Sequence, residues 1–180
     1  MATVHVWYPL LKAPTGGVPK SGEAAVQKGL SAIENVGHAA LGLDDGTYIS
    51  WWPDHAVSPD SGFRSSGFST QSFAADIAAE GAKPGLSQPI RGLAEDVIRS
   101  WWVRVAERGF AIPYTIENNP KSTHFDLWRT NCSNIVAIAL RLGGAERIVP
   151  LPRFDMMTPI HIAAWAKAAA AVQALTGRWR

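Results

Sequence analysis

Thr3 to Tyr8 alternates apolar and polar positions and carries Val4, Val6 and Trp7, so it predicts a β-strand. Pro9 to Gly22 holds three prolines and three glycines and predicts a loop. Ala25, Val26, Leu30 and Ile33 then recur at helical spacing. They predict a helix over Glu23–Glu34 with Ser21 as its cap. Two apolar runs follow, Val36–Leu43 and Thr47–Trp52, on either side of Asp44-Asp45-Gly46, which is the pattern of a β-hairpin. Pro53 is expected to end its second strand.

Residues 54–88 are rich in Ser, Gly, Pro and Asp and predict a long connection, with one short helix over Phe73–Ala79. Leu93, Val97, Trp101 and Val105 fall at four-residue steps in Leu93–Arg108, with Ile98 and Trp102 beside them. This predicts an amphipathic helix. Phe110–Asn119 leads into another polar stretch. The apolar run Ile135–Leu142, between Asn131-Cys132-Ser133-Asn134 and Gly143-Gly144, predicts a helix capped by Thr130 or Asn131. Pro159 opens a last helix running to about Leu175. No internal repeat is visible. The 180 residues predict one domain over 1–180, of α+β class.

Composition narrows the function classes. With 47% apolar and 18% charged residues the chain can bury a core. The net charge is only +2 and its basic residues are dispersed, which argues against nucleic acid as a partner; the pI of 8.9 reflects that small excess. The most apolar stretch, Ile160–Leu175, is broken by His161, Lys167 and Gln173 and falls short of the ~20 apolar residues of a membrane span, so stable membrane insertion is not expected. The N-terminus lacks the basic and apolar regions of a secretory leader. The chain is therefore expected to be made in the cytoplasm, and export would use a route without a cleaved leader.

The single cysteine excludes an internal disulfide and a Cys-rich zinc site. On composition alone a lone Cys is a small buried hydrophobe. Cys132, however, stands in the first turn of its predicted helix. There the unpaired amides and the helix dipole favour the thiolate, and the same amides can receive an oxyanion. A thiol nucleophile also needs a base. Among His5, His38, His55, His124 and His161, His38 lies on a predicted core strand between Gly37 and two alanines, which leaves room for a partner helix and a substrate. Ser50, a polar residue inside the apolar run of the second hairpin strand, needs a hydrogen-bond partner if buried and can orient an imidazole. The alternative for Ser50 is a solvent-facing position. Trp51 and Trp52, with Trp7 or Tyr8, are candidates to wall a substrate cleft, and Asn131 to contact substrate. No paired-His metal motif is present: His38, Asp54, His55 and Asp60 are close in sequence, but Asp54-His55 reads as a solvated turn. Neither a metal nor another cofactor is expected.

Two blocks carry a family resemblance. Gly37-His38-Ala39-Ala40-Leu41-Gly42-Leu43-Asp44-Asp45-Gly46-Thr47-Tyr48-Ile49-Ser50-Trp51-Trp52-Pro53 resembles the His-bearing hairpin of circularly permuted, NlpC-type papain-like enzymes, including the lecithin retinol acyltransferase-like branch. Thr130-Asn131-Cys132-Ser133-Asn134-Ile135-Val136 resembles the Asn-Cys nucleophile motif of that branch. The order, His before Cys, is the permuted one. A third polar residue of the branch, often His, falls at position 50, where this chain has Ser. With Ile98-Arg99-Ser100-Trp101-Trp102 and the Ala-Leu-Arg-Leu-Gly-Gly end of the nucleophile helix, the whole chain resembles bacterial type VI secretion effectors of this superfamily.

The resemblance implies a permuted papain-like fold, a small and mostly antiparallel sheet packed on the nucleophile helix. It implies a cysteine hydrolase with Cys132, His38 and Ser50, working through an acyl-enzyme on an amide bond of peptide or peptidoglycan. An immunity protein and a secretion-apparatus carrier would be its partners. The same scaffold also supports protease or deubiquitinase-like activity, lipid acyl hydrolysis or acyl transfer. A non-catalytic module that uses its eight tryptophans for recognition is the reading from a different class.

Overall fold

In the computed structural model, residues 1–11, 33–54, 68–108, 130–153 and 157–177 are described. Strand β1 spans Ala2–Trp7, and its alternation is that of the sequence: Ala2, Val4 and Val6 are fully buried, while Thr3 and His5 are half-buried. Short strands β2 (Leu10–Leu11) and β3 (Ile33–Asn35) pair with each other. The helix expected over Glu23–Glu34 is thus replaced by strand at Ile33 and Glu34; its remaining residues lie outside the described ones. Helical spacing of apolar residues in so short a window does not outweigh cross-strand pairing.

β4 (His38–Gly42) and β5 (Tyr48–Ile49) form the expected hairpin, with Leu41 opposite Ile49 and Gly42 opposite Tyr48. Its turn is closed by the Leu43 amide donating to the Thr47 carbonyl at 2.8 Å and the Thr47 amide donating to the Asp45 carboxylate at 3.0 Å, with Gly46 at φ +88°. The second strand is shorter than expected. Trp52–Pro53 is a separate strand, β6, that pairs with β7 (Phe68–Ser69), and Pro53 is its last residue.

Helix α1 (Phe73–Glu80) forms where expected, capped by the Ser72 hydroxyl, which accepts from the Ala75 amide at 3.2 Å. Strand β8 (Leu86–Ile90) was not expected in the loop; it carries Pro89 and pairs with β1 as an edge strand, the position in a sheet that tolerates proline. The main sheet has the order β5-β4-β1-β8, antiparallel throughout.

Three further helices complete the described architecture. Helix α2 (Glu95–Arg108) buries Ile98, Trp101, Trp102 and Val105, but Val97 is 43% exposed. Four-residue steps drift by about 40° each, so the face is set by the 98, 101, 102, 105 pattern and Val97 rotates out. Helix α3 (Cys132–Leu142) is buried from Cys132 to Leu140 and packs against β4 and α2. A Cβ on Gly143, just past its end, would stand 2.6 Å from Ile98 Cδ1, so any larger residue there would have to displace the Ile98 side chain. Helix α4 (Pro159–Thr176) starts with a Thr158–His161 capping box and lies against β1 and β8. Gln173 fastens it there, donating to the Arg91 carbonyl at 2.8 Å and accepting from the Arg91 amide at 3.2 Å. No helix among the described residues is long and apolar enough to cross a membrane.

The fold is α+β: a small antiparallel sheet and four helices among the described residues. One face of the sheet, from Ala2, Val4, Val6, Ala39, Leu41 and Ile49, belongs to the apolar core that includes α3 and α4. The other face carries His5, Trp7, His38 and Tyr48. Ring contacts join it to the start of α1, with Phe73 4.7 Å from His5 and 5.8 Å from Tyr48 between centroids.

Gly37 governs where β4 begins. It has φ +76°, and a Cβ there would meet the Trp7 carbonyl oxygen at 2.5 Å and the Pro9 nitrogen at 2.8 Å. Gly46 shares the left-handed backbone but has nothing within 4 Å. Gly37→Ala should therefore cost about 2 kcal/mol or more in chemical denaturation, and Gly46→Ala about 1 kcal/mol. Equal costs would contradict the close approach at Gly37.

Candidate active site

The strand segment after the hairpin turn is extended, so its side chains alternate between two faces. Ile49 and Trp51 turn into the core. Tyr48, Ser50 and Trp52 turn to the other side, and all three donate to one carboxylate, that of Asp76 on α1. The Tyr48 hydroxyl donates to Asp76 Oδ2 at 2.8 Å, the Ser50 hydroxyl to Oδ1 at 2.9 Å, and the Trp52 indole N–H to Oδ1 at 2.8 Å. His38, at the start of β4, supplies the fourth bond, from Nε2 to Oδ2 at 3.1 Å. Asp76 has no solvent exposure, and His38 is 2% exposed. A carboxylate this deeply buried persists as an anion only with such a set of donors.

These bonds fix the imidazole. Nε2 faces Asp76 Oδ2 and the Ser50 Oγ, both at 3.1 Å, while Trp52 stacks on the ring at 4.5 Å between centroids and 28°. The same ring interacts with the Cys132 thiol. Cys132 is the first residue of α3. Asn131 caps that helix: its Oδ1 accepts from the Asn134 amide at 2.9 Å, and its Nδ2 donates to the Met157 carbonyl at 2.9 Å. The cap anchors the helix end against the segment before α4, and so sets the position of the sulfur. The Ser133 hydroxyl stands 3.9 Å from that sulfur, and the Ala39 amide favours its anion.

The electrostatics follow from this packing. Burial by itself pushes the Cys132 thiol up, but the His38 charge, the hydrogen bonds of His38 and the Ala39 amide, and the Ser133 hydroxyl pull it below its ordinary value. Burial likewise depresses His38, yet the Cys132 charge and the bonds and charge of Asp76 outweigh it and raise the imidazole to about 9. Asp76 is held low against its burial, by His38 first and then by Tyr48 and Ser50. The three shifts agree in direction. All three lean toward a Cys132 thiolate beside a His38 imidazolium, with Asp76 ionised.

The structure thus brings Cys132, His38 and Ser50 to one place, and adds Asp76, which sequence reasoning missed. Ser50 touches the imidazole, but the charged partner of the ring is Asp76. The available signal was an acidic residue inside the small, apolar run Phe73-Ala74-Ala75-Asp76-Ile77-Ala78-Ala79. An Asp in a first helical turn has an ordinary explanation in the helix dipole, so sequence gave it no priority.

The residues expected at the substrate cleft divide. Trp52 belongs to the site. Trp51 does not: it is 1% exposed and stacks on Phe68 at 4.0 Å and 9°, within the core. Adjacent strand residues cannot both face one cleft. Asn131 is buried and both ends of its amide are engaged, so it is a helix cap rather than a substrate contact. Trp7 lies beside the site, 5.5 Å from the His38 ring, and its indole donates to the Ala82 carbonyl at 2.7 Å. Of the other histidines, His5 bonds Ser87 and His161 caps α4, while His55 and His124 lie outside the described residues, as does Asp60. No group of three His, Cys, Asp or Glu among the described residues is placed to hold a metal ion.

Comparison with known proteins gives one family. Residues 66–178 match the model of the IcsB middle domain. No curated protein and no solved structure matches the chain. The matched stretch contains Asp76 and Cys132, whereas His38, Ser50 and Trp52 precede it. Because the match covers more than half of the sequence, the chain belongs to the IcsB middle-domain family.

Proposed function

We propose that this protein is a cysteine-dependent acyl-transfer enzyme, with Cys132 as nucleophile, His38 as acid–base and Asp76 as the residue that orients and charges His38. The observation that carries the reading is the buried His38–Asp76 pair, bonded at 3.1 Å, whose imidazole also interacts with the thiol at the head of α3. A structural cysteine has no use for a buried imidazole and carboxylate in line behind it.

The chemistry runs in two halves. The Cys132 thiolate attacks a substrate carbonyl, and the carbonyl electron pair moves to oxygen. The amides of Cys132 and Ser133, which have no acceptor within their own helix, lie where they can donate to that oxyanion. When the oxyanion collapses, the carbon–leaving group bond breaks, and His38 gives its proton to the departing nitrogen or oxygen. A thioester on Cys132 remains. The acceptor then attacks the thioester carbonyl as neutral His38 takes its proton; the carbon–sulfur bond breaks, the acyl group leaves on the acceptor, and the Cys132 thiolate is regenerated.

With water as acceptor the reaction is hydrolysis, and an amide of peptide or peptidoglycan is the substrate we propose. The order of His38 before Cys132, on a hairpin strand and a helix start, supports a permuted papain-like arrangement. IcsB is itself a bacterial effector, which supports a secreted effector role for this family member. Delivery by type VI secretion, with a carrier and an immunity protein, is part of the same proposal.

The test of substrate and nucleophile is expression in the periplasm of a sensitive bacterium, with muropeptides analysed. The wild type should be toxic and release peptide cleavage products, and Cys132→Ala should do neither. Toxicity of Cys132→Ala equal to wild type would remove Cys132 as nucleophile. Toxicity that needs Cys132 but leaves muropeptides intact would move the substrate to a protein or lipid.

The ion pair predicts a pH profile. Below the lowered thiol value Cys132 is protonated and no nucleophile exists; above about 9, His38 loses its proton and the leaving group has no acid. Activity should be bell-shaped between these limits. Iodoacetamide should label Cys132 rapidly below pH 7, and labelling that begins only near the free-thiol range would contradict the pair.

The two partners of His38 should separate by mutation. Asp76→Asn should lower turnover by about ten-thousandfold, as loss of the orienting charge does in other triads. Ser50→Ala should cost only about tenfold, the scale of one neutral hydrogen bond. The reverse ranking would restore Ser50 as the third catalytic residue.

A further inference from the structure

Asp76 receives more donors than it needs to hold an imidazole. Its Oδ2 accepts from two groups, His38 Nε2 at 3.1 Å and the Tyr48 hydroxyl at 2.8 Å, and the shorter bond is not the histidine's. Tyr48 is placed for this by the sheet. It stands opposite Gly42 in the hairpin register, where a Cβ on that glycine would lie 3.8 Å from Tyr48 Cδ2. Its ring edge rests on Phe73 at 5.8 Å and 68°. Phe73 begins the helix that carries Asp76, so ring and hydroxyl together register α1 against the hairpin.

We propose that Tyr48 is a positioning residue with a moderating effect: by sharing Oδ2 of Asp76 with the His38 ring, its hydroxyl fixes the carboxylate and weakens the carboxylate's hold on the imidazole proton. Each donor on a carboxylate oxygen withdraws charge from it, so a neighbouring donor on the same oxygen is bound less strongly. Without Tyr48 the imidazole would keep its proton more tightly and release it to the leaving group less readily. Trp52, which donates to Oδ1, acts in the same direction from the other oxygen. This inference rests on the Cys132–His38–Asp76 reading and goes beyond it by assigning a role to a residue that touches neither nucleophile nor base.

The groups that face the imidazole and carboxylate among the described residues are Cys132 from α3, Asp76 from α1, Tyr48 from β5 and His5 from β1. Burial, then the charge and bond of Asp76, raise the Tyr48 phenol, so it remains a donor through the working range. Burial lowers His5, with Asp76 opposing, so His5 changes charge on the acid side only. The alkaline titration of the site therefore reports His38.

The experiment is the titration of the His38 ring nitrogens by NMR in the full chain, with the signal identified by its loss in His38→Ala. Tyr48→Phe keeps the ring over Gly42 and removes only the hydroxyl. Its His38 midpoint should move up by about half a pH unit, the share of one charge-assisted hydrogen bond. Trp52→Phe should move it the same way and serves if Tyr48→Phe does not fold. An unchanged or lowered midpoint, against an alkaline midpoint in the wild type, would overturn the moderating role and leave the catalytic assignment intact. A wild-type His38 that titrates near its ordinary value would overturn both. A purely structural role for Tyr48 predicts the lowered midpoint, because a looser carboxylate holds the imidazolium less well.

Discussion

A carboxylate cut off from water is the constraint around which the rest of this structure is arranged. Asp76 has no exposure, and an isolated charge at such depth would take up a proton rather than persist. Four donors keep it ionised, and three of them are neutral groups on one strand face: Tyr48, Ser50 and Trp52. The fourth, His38, is the one whose chemistry matters. When the site carries thiolate and carboxylate against one imidazolium, negative charge is in excess. The neutral donors around Asp76 and the amide end of α3 at Cys132 spread that excess over fixed dipoles.

The two faces of the main sheet divide the labour. Ala2, Val4, Val6, Leu41 and Ile49 belong to an ordinary apolar core with α3 and α4, and the energy of the fold resides there. The opposite face is aromatic and polar and receives α1 through Phe73. Rigid elements on both sides therefore hold the three groups of the proposed site: His38 and the donor comb on the hairpin, Asp76 on α1, Cys132 on α3. The glycines act where neighbours come close. Gly37 lets β4 start against the Trp7 carbonyl, and Gly143 leaves room for the Ile98 side chain of α2 at the end of α3.

The family match begins just before α1 and ends past α4, so it contains the carboxylate and the thiol but not the histidine hairpin. The site is nonetheless one unit, because β4 is paired with β1 and packed on α3. A reading confined to the matched stretch would see an aspartate and a cysteine on two separate helices. Only with the hairpin in place does His38 join them, bonded to Asp76.

Sequence alone was sufficient for the parts that depend on near neighbours. Asp44-Asp45-Gly46 between two apolar runs determined the hairpin, Asn131 before an apolar run with Gly143 after it determined helix α3, and the helix-start position of Cys132 singled out the thiol. The pairing of Cys132 with His38, and the presence of Ser50 at that histidine, were legible too, the latter because a buried hydroxyl in an apolar strand must find a partner. Tertiary structure decided what depends on packing between distant segments. It turned Trp51 inward and Trp52 outward, made Asn131 a cap, moved Val97 to the surface, and added β8 as an edge strand. Above all it brought Asp76 beneath His38 from 38 residues along the chain. No local pattern distinguishes a first-turn aspartate that faces water from one that a sheet face will bury, because the difference lies in the donors that surround it, and those come from another element.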